Sequence, residues 1–476
     1  MNHSYRDLIG RLMAAGGLLL CAAPLAGSPC VRDEPCTEHQ KLPGIDMPAG
    51  SRIGYSVAVS GDIALYGAPE FSDSGSVFAT WRVGEDWVGL PYPVVPADIE
   101  EHDWFGCCIA MDGTTAVIGA PESDHNEISN VGAAYIFVHQ QEEQWEEIAK
   151  LTASDGLAGD TLGRTAALDG DTALVSKRIY EATGAVYVFQ RNHGGPDNWG
   201  EVAKLTASDG GGNDYFGSGL AINGDLAVIG APRVDSYRGA VYIFHRDHGG
   251  PDQWGEVVKI PNPGDPWIES FGLSVALDGD TMLVAARDGY VGPCVGVVYV
   301  FEHGEGGPDD WTHVADIPAP YEEAFDECFG SALSVEGDRA IVGAPAGFDG
   351  SPDPGTAHVF ERHFGGPDHW GELFCMRNDD PTWEDHFGEA LGMSGDFVIV
   401  GAPNWGDQSH EGSAYMFSLS ACRPCFADFD GDGDVDTADL LYLLGAWGTP
   451  NGDVDDDGDT DTADLLALLA AWGECP

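Results

Sequence analysis

The chain has 476 residues, long enough for a large core or for two or three domains. Hydrophobic residues make up 43% and aromatics 10%, the composition of a folded protein. With 79 acidic against 21 basic side chains the formal charge is −58, which excludes nucleic acid and anionic membranes as partners and favours cations.

In chain order, Arg6 and Arg11 precede an apolar run from Leu12 to Leu20 and then the small residues Ala22, Ala23, Ala26, Gly27 and Ser28. That order reads as a secretory signal peptide over residues 1–28, with cleavage within 23–28. The run is too short to span a bilayer, and Leu20 is too large to precede a lipidated Cys21. Export puts the remaining cysteines where disulfides form, and the protein is expected to be secreted or held at the cell surface.

One unit then recurs. "FGSGLAINGDLAVIGAP" (Phe216 to Pro232) returns as "FGLSVALDGDTMLVAAR", "FGSALSVEGDRAIVGAP" and "FGEALGMSGDFVIVGAP", and earlier copies begin at Ile53, Phe105 and Leu162. Each unit predicts a strand, a tight turn at a pair such as Asn223-Gly224 or Asp112-Gly113, and a second strand. A variable loop follows, then an alternating third strand such as "GAVYIF", then a Gly-Gly-Pro-Asp turn and a fourth strand. Four antiparallel strands per unit and seven units over residues 29–421 indicate a mainly β fold, a seven-bladed β-propeller.

Acids stand just before the first strand of most units: Asp103, Asp160, Asp214, Glu269, Glu327 and Asp385. They form either a cation- or polyol-binding rim or a set of local caps on backbone N–H groups, and repetition in nearly every unit favours the caps. His193, His248, His303 and His363 sit one per blade at the outer turns, which argues against a shared metal. Trp199, Trp254, Trp311 and Trp370 follow those turns as packing residues or, alternatively, as a platform for sugars. No nucleophile elbow, metalloprotease helix or phosphate loop appears. Sequence differs most in the loops after "GAP": Glu70 to Gly75, Glu122 to Gly132, Arg233 to Gly239, Ala346 to Gly355 and Asn404 to Gly412. Variable loops on a repeated scaffold point to recognition rather than catalysis, so no catalytic residue is assigned.

"FG…GAP" is similar to the FG-GAP repeats of bacterial extracellular proteins and, more distantly, of integrin α-chain propellers. Integrin-type blades carry a calcium loop between the first two strands. Here a two-residue turn stands in that place, so no metal is expected in the blades.

The C-terminal segment 428–476, after a linker at 422–427, carries two copies of a calcium-loop template. Such a loop needs oxygens at positions 1, 3, 5, 7, 9 and 12 and Gly at 6. Asp428, Asp430, Asp432, Asp434, Asp436 and Asp439, with Gly433, fit the first copy, and Val435 at position 8 is expected to pair the two loops. Asp453, Asp455, Asp457, Asp459, Asp461 and Asp464, with Gly458, fit the second. Two Ca²⁺ ions are expected, both in this segment. The apolar runs "LLYLLGAWG" and "LLALLAAWG" predict helices that need burial.

A half EF-hand duplicated at the end of an exported chain resembles a type I dockerin. The resemblance implies docking onto a cohesin-type scaffold partner through the positions held here by Thr437, Ala438, Thr462 and Ala463. Gly445 and Ala446 depart from the basic residues common further along that helix. The functional reading is an exported, non-enzymatic binding or adhesion protein. Its alternatives are a glycan-binding or glycoside-hydrolysing component of a cellulosome-like complex and a structural surface-layer protein.

Closure of the propeller is the last expectation. The seventh unit lacks a fourth strand before the chain leaves at Phe417. "EHQKL" (Glu38 to Leu42) has the spacing of the fourth strands and should pair against Tyr415 to Leu419. By register, a Cys36–Cys422 disulfide would replace the missing turn, with Cys30 as rival partner for Cys422.

Overall fold

The computed structural model describes residues 36, 39–42 and 50–474 except 127, 141–143, 178–182, 265–268, 288–295, 320–327, 346–354, 365–368, 380–384, 405–410, 423–426, 428–433, 436, 450–453 and 455–459. The signal peptide therefore lies outside the described residues.

Seven four-stranded antiparallel sheets are arranged as blades. Blade 4 is typical, with strands Leu220–Asn223, Leu226–Ala231, Ala240–His245 and Gly255–Pro261 running from the innermost outward. The innermost strands of successive blades adjoin, and that of blade 7 (Ala390–Ser394) returns to that of blade 1 (Val57–Ser60), which closes the ring. The two middle strands are buried on both faces between neighbouring blades. They therefore read as near-continuous apolar runs, as in Leu226–Ala231. Each seam is filled by the apolar residue that opens a unit, a phenylalanine in five and Ile53 or Leu162 in the others. Phe216 lies edge-on to Tyr242 at 5.5 Å between ring centroids and to Phe244 at 6.1 Å, geometry worth about 0.5–1.5 kcal/mol beyond its burial. Phe105, Phe271, Phe329 and Phe387 repeat the arrangement.

Blade 7 takes its outermost strand from the N-terminus. Lys41 stands opposite Tyr415 and Gln40 opposite Met416. His39 N–H donates to Met416 O and Leu42 N–H to Ala414 O, both at 2.9 Å. The described pairing runs from Leu42 back to His39, and Glu38, the first residue of the expected strand, lies outside the described residues. Upstream, Cys36 N–H donates to Cys375 O at 3.3 Å, so the chain enters along the outer strand of blade 6.

The hairpin turns sit one residue later than the sequence implies. Asn223 pairs with Leu226 and Asp112 with Thr115, so the two-residue loops are Gly224-Asp225 and Gly113-Thr114. Only the glycine has positive φ, +59° at Gly224 and +55° at Gly113, which is the type II′ pattern. The Asp, Asn, Ser or Glu before each glycine is thus the last strand residue, and its side chain is free to reach sideways.

In the C-terminal segment the helices Thr437–Ala446 and Thr462–Ala470 pack over Ala427, Val435, Leu443, Val454 and Leu468. Val435 does not join the two loops as the sequence implies. It pairs with Gly473, after the second helix, and Thr460, its counterpart in the second copy, accepts from Gly448 N–H at 2.8 Å after the first. Each half thus ties its loop to the end of the other's helix. The helices are also only partly buried.

Candidate ligand-binding mouth and docking helices

The residue before each "FG" is in the left-handed region: Arg52, Trp104, Thr161, Tyr215, Ser270, Cys328 and His386 have φ between +46° and +60°. These positions recur at one end of the channel, one per blade, and non-glycine residues held there are uncommon. The residue after each "FG" varies as well: Tyr55, Cys107, Arg164, Ser218, Leu273, Ser331 and Glu389. Together they make a mouth whose architecture is repeated while its side chains are not.

Aromatic and cationic groups meet on one side of it. The Tyr55 and Trp104 rings lie 6.5 Å apart, edge to face. The Arg164 guanidinium is 5.8 Å from the Trp104 ring centroid and forms no ion pair with a described residue. Burial pushes the Tyr55 phenol up to about 12, with the Cys107 thiol reinforcing the shift and Arg164 and Arg52 opposing it. Arg233 stacks on Tyr215 at 3.8 Å, and Arg52 pairs with Glu70 at 3.2 Å. On blade 7, next to Tyr55, burial raises the Glu389 carboxyl, and Arg287 opposes that rise. Sequence reading missed this set because its members are scattered over units and align only when the units are superposed.

Three of the repeated acids cap their own turns. Asp103 accepts from Glu100 N–H at 2.9 Å and Asp160 from Leu157 N–H at 2.7 Å, and Asp214 accepts from Gly211 N–H. Asp160 is also ion-paired with Lys177, both of them buried. Asp385 is held by Asn378 at 3.1 Å. Glu327 lies outside the described residues. A second set, absent from the sequence reading, clamps the blade exteriors. Asp209 accepts from Tyr242 OH and from Lys259 Nζ, each at 2.7 Å, and Lys259 and Tyr242 hold its carboxyl below the usual range. Asp155, bound by Lys204 and Tyr187, is lowered to about 2 for the same reasons, in that order. The turn tryptophans pack: Trp199 and Trp370 are buried, with Arg191 and Arg362 over their rings. His303 Nε2 binds Gly307 O at 2.9 Å within its own turn. No cluster of three metal-ligating side chains occurs among the described residues.

Of the calcium-loop residues, Asp428, Asp430, Asp432, Asp436, Asp453, Asp455, Asp457 and Asp459 lie outside the described residues, as does the Asp434 side chain. Asp439 and Asp464, the two position-12 residues, are completely buried. Both oxygens of Asp464 face its own loop, accepting from Val454 N–H at 2.5 Å and Asp461 N–H at 2.6 Å. Asp461 in turn accepts from Ala463 N–H at 2.7 Å and caps the helix. A carboxylate buried inside a loop of this composition fits a hard divalent cation.

Thr437, Ala438, Thr462 and Ala463 are exposed. So are Leu441, Leu444 and Trp447 on the first helix and its end, and Leu466, Leu469 and Trp472 at the matching places on the second. Spacing of three residues puts each trio on one face. The apolar runs are therefore buried on one side only, a correction to the expectation that the helices are apolar because they need burial.

A family model described as "FG-GAP repeat" matches residues 93–137, 145–189, 199–244, 311–360 and 370–417. The chain is a propeller of FG-GAP repeats. In these FG-GAP blades both glycines of the motif are required by one seam: a Cβ at Gly119 would lie 2.0 Å from Gly163 O, and one at Gly163 2.2 Å from Ala133 O. No curated protein matches the chain. Among solved structures it is similar to the β-propeller domain of the Trilobed protease from Pyrococcus furiosus, at 8% identity and TM-score 0.43, covering 76% of this chain and 94% of that one. It is also similar to a proposed 6-phosphogluconolactonase from Bacteroides uniformis ATCC 8492, at 12% identity and TM-score 0.41, covering 69% and 86%. At these scores neither likeness bears on what the FG-GAP propeller binds.

Proposed function

We propose that this is an exported, non-enzymatic binding protein whose propeller mouth takes a ligand and whose C-terminal segment docks it, in calcium, onto a cohesin-type scaffold. The observation that carries the docking half is the duplicated exposed trio, Leu441-Leu444-Trp447 and Leu466-Leu469-Trp472. Contiguous exposed apolar side chains on a short paired-helix segment favour a protein partner. Thr437-Ala438 and Thr462-Ala463 border these faces and complete the contact. Ca²⁺ would be held by Asp428, Asp430, Asp432, Asp434, Asp436 and Asp439 and by Asp453, Asp455, Asp457, Asp459, Asp461 and Asp464, and its role is to neutralise the loops so that the helices can pack.

For the propeller, the half-buried Arg164 against Trp104 favours a ligand that offers an anionic group and a flat apolar face, such as a uronic-acid saccharide. That keeps a glycan-binding component of a polysaccharide-degrading complex as the second reading. Binding of the full chain to immobilised type I cohesins, with Ca²⁺ and with chelator, tests the docking half. A uronate-containing glycan array tests the mouth. Binding to neither surface overturns the proposal.

A further inference from the structure

Two adjacent thiols stand at the mouth with no role in the reading above. Cys107 is buried, Cys108 is half-buried, and both are free. Cys36, Cys328 and Cys375 are by contrast disulfide-bonded. In a pleated strand, neighbouring side chains point to opposite faces. Here Cys107 N–H donates back to Trp104 O at 3.2 Å, and ladder pairing of the inner strand begins only at Ile109. That turn brings both sulfurs to one oxygen: Cys107 Sγ and Cys108 Sγ lie 3.3 and 3.1 Å from Gly163 O.

We infer that Cys107 and Cys108 are a covalent modification site, closing to a vicinal disulfide by exchange with a small oxidised thiol such as glutathione disulfide. Cys108, the more accessible, attacks first as the thiolate. Its sulfur bonds to one glutathione sulfur, and the other leaves as a thiolate that takes a proton. The Cys107 thiolate then attacks Cys108 Sγ and expels the second glutathione. Two S–H groups are oxidised and one external disulfide is reduced to two thiols. Burial, then the Cys108 thiol, holds the Cys107 thiol well above its ordinary range, so the second step quickens as pH rises. Consecutive Cα atoms are about 3.8 Å apart across a trans peptide, short of the roughly 4.4 Å at which ordinary disulfides begin. The ring is therefore strained and opens more readily than a structural disulfide. Closure also removes two S–H donors from Gly163 O, beside Arg164, so the redox state is felt at the ligand mouth.

Residues 83–150, released by trypsin after Arg82 and Lys150, contain no other cysteine. Full-length protein is incubated with glutathione disulfide, alkylated with iodoacetamide and digested without reduction. This peptide should then weigh two hydrogens less than its dithiol form, with alkylation of the pair reduced about tenfold or more. Mild dithiothreitol should restore it before it opens the Cys36 and Cys375 disulfides. Cys107→Ser should trap glutathione on Cys108, because the expelling thiol is gone. A wild-type peptide with both cysteines alkylated, with a lasting glutathione adduct or linked to any other cysteine overturns the inference. So does failure of Cys107→Ser to accumulate the adduct.

Discussion

Gly61 donates its N–H to Ser394 Oγ at 3.0 Å, joining residues 333 apart in the chain. The same bond recurs round the ring: Gly113 to Ser60 at 3.0 Å, Gly170 to Asp112 and Gly337 to Asp278 at 2.7 Å, and Gly395 to Glu336 at 2.8 Å, with Gly224 likewise bound to Asp169. At six of the seven junctions the last inner-strand side chain of one blade accepts from the turn glycine of the next, and Ser394 returns the series to blade 1. Ser394→Ala should cost about 0.5–1 kcal/mol, since the bond is exposed. Thermal unfolding should show a lowered midpoint for Ser394→Ala and for Ser60→Ala alike. An unchanged midpoint in both contradicts a stabilising role for these bonds.

His386 gives the propeller an acid-sensitive seam. Burial lowers its imidazole to about 4, with Asp385 opposing. Its folded-state value is thus below the roughly 6.5 of an unfolded histidine. The unfolded chain binds the proton first as pH falls, so stability is full above about 6.5 and is lost between there and about 4. Asn tolerates the left-handed conformation that His386 holds at φ +54°. The His386→Asn variant should therefore keep the fold and show a flatter melting midpoint over that window. A wild-type profile as flat as the variant's excludes this role.

Closure at the N-terminus makes a second covalent expectation. Cys36 is disulfide-bonded and sits a few residues before the strand that completes blade 7, and the account pairs it with Cys422, whose side chain lies outside the described residues. A bond there would close a loop of several hundred residues, worth roughly 4–5 kcal/mol by the chain-entropy model. Peptide mapping of non-reduced protein should yield Cys36 linked to Cys422. Cys36 found free, or joined to any other cysteine, refutes the clasp.

Docking through two matched faces predicts redundancy. Leu444→Asp alone should leave cohesin affinity within a few fold, because the Leu469 face can take the contact after about half a turn. Leu444→Asp with Leu469→Asp should abolish binding. Loss of affinity in one single variant, with the other unaffected, would instead assign one dedicated face.

Much of the fold was legible in the sequence because the propeller repeats its signals. Seven unit openings, five of them "FG", and the alternating third strands fix blade number and strand count. The turn position was misread by one residue because Asp-Gly suits either a loop pair or a strand end followed by a type II′ glycine. The strand register, with Asp112 opposite Thr115, decides between them, and the inter-blade bond to Asp112 follows from it. The mouth was not legible, since Tyr55, Trp104 and Arg164 come from three units and converge only through the packing of successive blades. The helical face was misjudged for a related reason: an apolar run shows that burial is needed, and does not say whether the same chain or a partner provides it. Leu443 is buried by its own segment, and Leu444 is left outside.

The most direct measurement is calorimetric titration of Ca²⁺ into the full chain, followed by cohesin binding on the same sample. The account predicts about two tight sites, one in Asp439→Ala, one in Asp464→Ala and none in the double variant, with cohesin binding lost in the double variant. Absence of tight Ca²⁺ binding to the wild type, or tight binding that survives in the double variant, would contradict it.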